Sequence, residues 1–509
     1  VSGDFRAEVA AVTSSYDIKP SFAEYRELAN RGNLIPVYAE VLGDLETPVS
    51  VFMRMADADY AYLLESVEGG EKWARYSFLG AEPQVIFRSK GRRAEIISGA
   101  RAETIEGFTD ALEPLKELMS RYRPVAVPGL PRFIGGAVGY IAYDMVRYFE
   151  RLPDDTVDEL SCYDTHFIVT DSIMVFDNLR HTIKVVVNSH LTDEESLEAS
   201  YRQATDKVEE LIGRLAAPLP PRPAPLLSPP LEWRSNFSRE RYLEVVQRCK
   251  EYIRLGDIIQ VVPSQRFRAP AKVDPIHFYR ALRRINPSPY MFFLRLGGEL
   301  LIGSSPEVLI RVEGDQAELR PIAGTRPRGT TPEEDAELEA ELKTDPKEMA
   351  EHIMLVDLGR NDLGRVCAVG SVEVTELGIV ERYSHVMHLV SNVRGRVRPG
   401  LDAYDVFRAS FPAGTLTGAP KIRAMEIIEE MEPVKRGCYG GAVGYFSFTG
   451  NMDMCIAIRT VLIKDGMLNV QAGGGVVADS VPGLEYEETI NKAKAMMKAV
   501  EMARAGLKI

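Results

Sequence analysis

A large globule of mixed helix and strand is the fold class the sequence predicts, on three observations. The chain has 509 residues, 45% hydrophobic and 27% charged. That is enough for about two to four domains, or two unusually large ones, burying ~75% of the unfolded surface without disulfides or metal staples. Short β-branched runs, Phe167 to Phe176 and Thr182 to Val187, flank an Asp-Asn-Leu-Arg turn and read as a hairpin. Asp193 to Leu215 repeats apolar residues at helical spacing and reads as an amphipathic helix.

Downstream of that helix, seven prolines crowd the thirteen residues from Pro218 to Pro230. Such a stretch packs neither as helix nor as sheet and predicts a surface connection. The chain therefore divides into residues 1–217, a linker over 218–232, and a second region over 233–509. The hexapeptide Gly-Gly-Ala-Val-Gly-Tyr occurs twice, at Gly135 to Tyr140 and Gly440 to Tyr445, each time before a β-prone run. Six residues leave a duplicated architecture and coincidence equally open. The acidic run Glu333 to Glu341 reads as a solvated helix face.

Composition excludes several functions. Sixty-one basic residues stand against 74 acidic ones, a net charge of −13, which argues against nucleic-acid and anionic-membrane partners. A small anion in a locally positive pocket remains compatible. The five cysteines are isolated, without a CxxC pair, so a reducing, cytoplasmic compartment is expected. The opening Val1-Ser-Gly-Asp-Phe-Arg lacks the apolar segment of a secretory leader, and no run approaches ~20 apolar residues.

Paired carboxylates mark two predicted helices. Asp345 fits an N-cap, with Pro346 at the first helical position and Glu348 at the capping-box position. The helix then sets Glu348 and Glu351 on one face. After Pro482 a second helix aligns Glu485, Glu488 and Lys492. Four carboxylates from two helices suit a hard oxygen-ligated cation such as Mg²⁺, although spacing alone favours merely exposed, salt-bridged faces. Just before the second helix, Gly473, Gly474 and Gly475 let backbone N–H groups converge on an anion or simply form a flexible turn. Phe411 to Lys421 is a second glycine-rich passage, with Pro420 at a helix start whose amides favour negative charge. Histidine is scarce, seven in all, and two lie in His385-Val-Met-His388. One of these reads as a general acid or base, or else as a structural residue.

Together these passages resemble the chorismate-utilising enzymes, and among them the large (component I) subunits of anthranilate synthases. The resemblance rests on Pro321-Ile-Ala-Gly-Thr-Arg-Pro-Arg-Gly329, Asp357-Leu-Gly-Arg-Asn-Asp362, Phe411 to Lys421, Tyr439 to Tyr445 and Gln471 to Val477. In the first region Leu63-Leu-Glu-Ser66 and Arg75-Tyr-Ser-Phe-Leu-Gly80 are similar to those subunits' regulatory half. The implied fold is α+β, with two packed β-sheets and outer helices, in which segments of both halves interweave.

The resemblance also implies an activity: ammonia attacks C2 of chorismate, the C4 hydroxyl leaves, and loss of pyruvate yields anthranilate. Glu307 would be the general acid, with His388 and Thr415 also catalytic. Glu348, Glu351, Glu485 and Glu488 would hold Mg²⁺ directly or through water. Gly324, Thr325, Tyr439, Arg459, Gly473, Gly474, Gly475 and Lys492 would bind chorismate. Glu65 and Ser66, with Asn286, Pro287, Pro289, Tyr290 and Met291, would bind tryptophan as a feedback inhibitor. A glutamine amidotransferase subunit would supply ammonia in a hetero-oligomer. The rivals are an aminodeoxychorismate synthase, whose nucleophilic lysine would occupy the position of Ala323, and a non-catalytic chorismate-binding subunit. Isochorismate and salicylate synthases would carry a lysine base where this chain has Gln260.

Overall fold

Strand periodicity decides the layering. In the strand Gly136–Ile141, Val138 and Tyr140 join one apolar cluster while Ala137 and Ile141 join another. In Ser172–Asp177, Ile173 and Val175 share the first cluster, but Met174 and Phe176 belong to a third. Side chains alternate across a strand, so both faces of each of these strands are buried. The computed structural model, which describes residues 16–67, 75–192, 195–221, 225, 229–383 and 386–507, accordingly has four layers. Two sheets share the cluster containing Tyr62, Phe292, Tyr140 and Tyr445. Helices Leu112–Ser120 and Ala403–Ser410 cover the outside of one sheet, and Leu197–Leu215, Pro275–Ile285 and Pro482–Arg504 that of the other. Each fully buried leucine or phenylalanine in these faces contributes roughly 1.5–3 kcal/mol.

Both sheets cross the proline-rich boundary. The first has 11 strands, in the order Leu34–Leu42, Thr182–His190, Ser172–Asp177, Tyr76–Ala81, Tyr60–Glu65, Tyr290–Leu296, Glu299–Ser305, Thr460–Lys464, Met467–Gly473, Ser264–Pro270 and Arg234–Ser235. Its first five strands precede the linker and its last six follow it. The second sheet has 12 strands and is likewise shared, joining where Ala442–Ser447 pairs with Gly136–Ile141.

The two hexapeptides are those two strands. They pair antiparallel with Gly139 opposite Gly444, and their glycines admit neighbours that a side chain would exclude. A Cβ on Gly139 would lie 2.0 Å from the His166 carbonyl oxygen, and one on Gly444 2.0 Å from that of Asp453. Chain order repeats on either side of this seam. In the first sheet each half supplies its outermost main strand first, then the two nearest the junction, then the two between. The halves therefore share one topology, which makes the repeated string a mark of duplication.

Two sequence expectations are corrected. Phe167 to Phe176 is not one strand but two, Thr165–Thr170 and Ser172–Asp177, which enter different sheets on either side of Asp171. The hairpin itself forms between Ser172–Asp177 and Thr182–His190. The following helix starts at Leu197, where the Ser196 hydroxyl accepts from the Ala199 N–H; Asp193 lies outside the described residues. No helix among the described residues is long and apolar enough to cross a membrane.

Candidate functional site

Glu307 stands where the chain leaves one sheet for the other, between strands Glu299–Ser305 and Val308–Glu313. It is only 9% exposed. The Thr415 hydroxyl, on the short helix Gly414–Thr417, donates to its Oε1 over 2.9 Å. Burial pushes its pKa up to about 8, against smaller opposing effects of Thr415 and Lys492. Glu307 is therefore a neutral acid at pH 7. With Oε1 accepting from threonine, the carboxyl proton is left to Oε2.

The cavity Glu307 lines has a volume of about 610 Å³. Helix Pro346–Gly364 brings Glu348 and Glu351 to it, and helix Pro482–Arg504 brings Glu485, Glu488 and Lys492. Gly473, at the end of strand Met467–Gly473, and Gly475 form another wall, while Tyr439 and Arg459 complete the pocket. Gly324 interrupts the pairing of Ile322–Pro327 with Val386–Arg396 and has φ +64°. That left-handed conformation, natural to glycine, turns it and Thr325 toward the cavity. A Cβ on Gly474 would come within 3.3 Å of Glu485 Oε2. His388 stands behind this wall, with Nδ1 2.9 Å from the Gly324 carbonyl and 3.0 Å from the Thr325 hydroxyl. A carbonyl only accepts, so Nδ1 carries the hydrogen and Nε2 is the basic nitrogen. Burial lowers the histidine pKa and keeps the ring neutral. His385 lies outside the described residues.

Charge bookkeeping defines what the cavity lacks. Its lining holds five carboxylates, Glu307, Glu348, Glu351, Glu485 and Glu488, and three cations, Lys347, Arg459 and Lys492. With Glu307 neutral, four negative charges face three positive ones. Lys492 is itself bound to Glu488 at 2.7 Å and to the Gly473 carbonyl at 3.0 Å. Burial raises the pKa of Glu351, as does the proximity of Glu348 and Glu488. Burial does the same for Glu485, whose Oε2 has no hydrogen-bond partner. An orphaned carboxylate oxygen among carboxylates fits a hard cation. Among the described residues no group of three or more acidic, histidine or cysteine side chains is gathered tightly enough to hold an ion alone. These residues thus fit Mg²⁺ in its usual manner, with water and substrate oxygens completing the shell.

Two local expectations change. The capping box at Asp345 does not close: the Asp345 N–H donates to the Glu341 carbonyl, and Glu348 turns to Arg326 instead. The acidic helix Pro332–Thr344 is not wholly a solvated face, because Asp335 is buried between Arg328 and Arg382. Sequence reasoning passed over Lys347, whose position beside Glu348 was the available signal. It also passed over Arg326, which no spacing rule marks.

A second, smaller cavity of about 60 Å³ is lined by Glu65, Ser66, Pro289, Tyr290 and Met291. Strand pairing brings the two strings together, with Met291 opposite Glu65. Glu65 is buried, accepts from the Tyr279 hydroxyl and sits 3.3 Å from Arg283. Asn286 lies just ahead of the strand, its amide donating to Ser304 Oγ at 3.1 Å, and Pro287 follows it, partly buried. Arg132, Arg311 and Asp453, unmarked in the sequence, form the floor. Asp453 joins Arg311 at 2.8 Å and accepts from the Tyr290 hydroxyl at 2.8 Å.

Residues 61–498 match the family described as chorismate binding enzyme. The chain is 51% identical over 487 residues to anthranilate synthase component 1 of Pseudomonas putida, covering 94% of this chain and 98% of that protein. It is 48% identical over 490 residues to the protein of the same name from Aquifex aeolicus, covering 95% and 98%. Among solved structures, anthranilate synthase component I from Streptococcus pneumoniae superposes with a TM-score of 0.75 at 39% identity, covering 90% of this chain and 99% of that one. The menaquinone-specific isochorismate synthase of Escherichia coli shares the fold, with a TM-score of 0.68 at 17% identity over 94% and 98% of the two chains.

Proposed function

The chain belongs to the chorismate-binding enzymes and, within them, to the anthranilate synthase component 1 family, and from that premise we propose how its residues act as a chorismate-using lyase. Chorismate and ammonia become anthranilate, pyruvate and water. The observation that carries the mechanism is the neutral, threonine-held Glu307 sharing a cavity with a carboxylate cluster short of positive charge.

Chorismate is a dianion. Added to four ionised carboxylates and three cations, it leaves three uncompensated negative charges, so a divalent ion held by Glu348, Glu351, Glu485 and Glu488 offsets most of the excess. Bound Mg²⁺ supplies Lewis acidity at the ring carboxylate. Tyr439 and Arg459 take the enolpyruvyl carboxylate, and Lys492 with the amides of Gly473 to Gly475 takes the ring carboxylate. Gly324 and Thr325 shape the pocket beside them. Ammonia bonds to C2, the double bond shifts, and the C4 oxygen departs as water with the Glu307 proton. General-acid help of this kind contributes ~10²–10⁴ in rate. In the second half C2 loses its proton and the enolpyruvyl group leaves as pyruvate, with neutral His388 assisting through Nε2.

Gln260 supports ammonia as the nucleophile. Its amide donates to Glu351 at 3.1 Å, so a neutral side chain that cannot act as a base stands where a lysine would activate water. Ammonia comes from a glutamine amidotransferase subunit in a hetero-oligomer. Glu65 and Ser66, from before the linker, together with Asn286, Pro287, Pro289, Tyr290 and Met291, from after it, take tryptophan as the feedback inhibitor. The test is product identification by fluorescence and mass after mixing the chain with chorismate, Mg²⁺ and ammonium at alkaline pH. Anthranilate is expected; 4-amino-4-deoxychorismate or isochorismate would overturn the reading.

A further inference from the structure

Arg326 is the residue around which three acidic groups are arranged. It lies in the strand Ile322–Pro327, two residues past the Gly324 bulge. Its Nε donates to Glu341 at 2.8 Å, its Nη2 to Asp345 at 2.7 Å and its Nη1 to Glu348 at 3.2 Å. Each nitrogen thus serves a different carboxylate. Glu341 closes the helix Pro332–Thr344, Asp345 caps the helix Pro346–Gly364, and Glu348 is in that helix's first turn. Arg326 is mostly buried, with its side chain 17% exposed. The contact engages Glu348 Oε1, while Oε2 lies 3.1 Å from the point where a Cβ on Gly324 would sit; Gly324 and Glu348 both line the substrate cavity.

We propose that Arg326 is a positioning residue that fixes Glu348 for the cation, an inference resting on the metal reading given above. Without it, the carboxylate at Glu348 is free to rotate away from Glu351, whose charge repels it. The guanidinium also holds Asp345 while that residue accepts from the N–H groups of Lys347 and Glu348. One planar fork therefore sets both the start of the helix and the orientation of the carboxylate it presents. A lysine has one point of charge and does not reproduce three directed contacts. Groups that orient metal ligands in this way typically change metal affinity 10–100-fold when removed.

Mn²⁺ is the probe, its free concentration read by electron paramagnetic resonance with chorismate present. Wild type, Arg326→Met, Arg326→Lys, Glu341→Gln and Glu351→Gln are compared, each with its thermal unfolding midpoint. Arg326→Met is expected to weaken Mn²⁺ binding about 10-fold or more, Arg326→Lys less, and Glu341→Gln, at the exposed end of the clamp, least. Should the methionine variant not fold, the lysine variant carries the comparison. A folded Arg326 variant with a lowered midpoint and unchanged Mn²⁺ affinity would make the clamp a helix fastener and overturn the inference alone. Mn²⁺ binding that is absent in wild type, or indifferent to Glu351→Gln, would overturn the metal reading and the inference with it.

Discussion

A carboxyl group that must give up a proton at neutral pH has to be kept from losing it early. Glu307 meets this requirement by burial, and Thr415 tempers the effect, since its donated hydrogen bond favours the ionised form. The same burial is a stability cost. Glu307 is neutral in the folded chain up to about pH 8, whereas an unfolded glutamate ionises near its ordinary value of 4.5. Between those limits the folded state binds more protons, so its stability falls as pH rises, by ~1.4 kcal/mol per unit for one full proton. Glu307→Gln should therefore lower kcat by about 10²–10⁴ while melting higher than wild type. The gap in melting temperature should widen from pH 5 to pH 8, as scanning calorimetry would show. A variant that melts below wild type at pH 8 would mean that the carboxyl is ionised in the folded state. In the active enzyme the same group should produce a falling limb above about pH 8 once rates are corrected for free ammonia.

At the scale of elements, two helices and one strand carry the proposed function. Glu351→Gln and Glu488→Gln come from different helices and should each nearly abolish turnover, with the circular dichroism spectrum unchanged. Full activity in excess EDTA would refute the cation they are assigned. The strand Tyr290–Leu296 links the two cavities: Tyr290 lines the smaller one, and its backbone pairs with Ser305, two residues before Glu307. Ser305 Oγ in turn accepts from the Glu307 N–H at 3.4 Å. On the proposed reading, tryptophan that bound this wall better in one arrangement than another would shift Glu307 through a single hydrogen-bonded turn. Ser66→Arg fills that cavity and should remove inhibition yet spare the uninhibited rate; retained inhibition would move the inhibitor to the chorismate cavity. The strings of the candidate site were legible because loops and helix starts at strand ends keep a site's residues contiguous, as in Gly473 to Gly475 and Asp345 to Glu351. The floor of the smaller cavity was not, because Arg132, Arg311 and Asp453 come from separate segments and meet only through sheet pairing. Asp171, which splits one apolar run between two sheets, carries no glycine or proline to announce the crossing.

The whole molecule depends on two halves closing each sheet without a break. In the first sheet the join pairs Tyr60–Glu65 with Tyr290–Leu296 and forms one wall of the smaller cavity. In the second it pairs the two hexapeptide strands, and Val443, Gly444, Tyr445, Asp453 and Cys455 line the same cavity. The candidate inhibitor pocket therefore lies between the joins of both sheets, so that closing the sheets also shapes the pocket. A ligand there bears on the seam that orients the halves. Between the sheets, Glu299 accepts from Tyr140 at 2.7 Å and from Lys464 at 2.8 Å, with His166 at 3.1 Å. Burial alone would raise the Glu299 pKa, but these partners hold it down at about 2, so this cross-sheet tie stays ionised through the physiological range. The glycines test the seam directly. At Gly139 and Gly444 an added methyl meets a carbonyl oxygen at 2.0 Å, whereas at Gly450, with φ +84°, nothing lies within 4 Å. Overpacking a fitted interior costs ~1–3 kcal/mol, and the strain of a left-handed alanine about 1 kcal/mol. Gly139→Ala and Gly444→Ala should thus lower the urea midpoint more than Gly450→Ala does. Gly444→Ala, which displaces the strand bearing Asp453, should also raise the tryptophan concentration for half-inhibition several-fold, with Gly139→Ala shifting it less. Equal urea midpoints in the three variants, or a Gly444→Ala protein inhibited like wild type, would show that the seam neither needs its glycines nor shapes the pocket beside it.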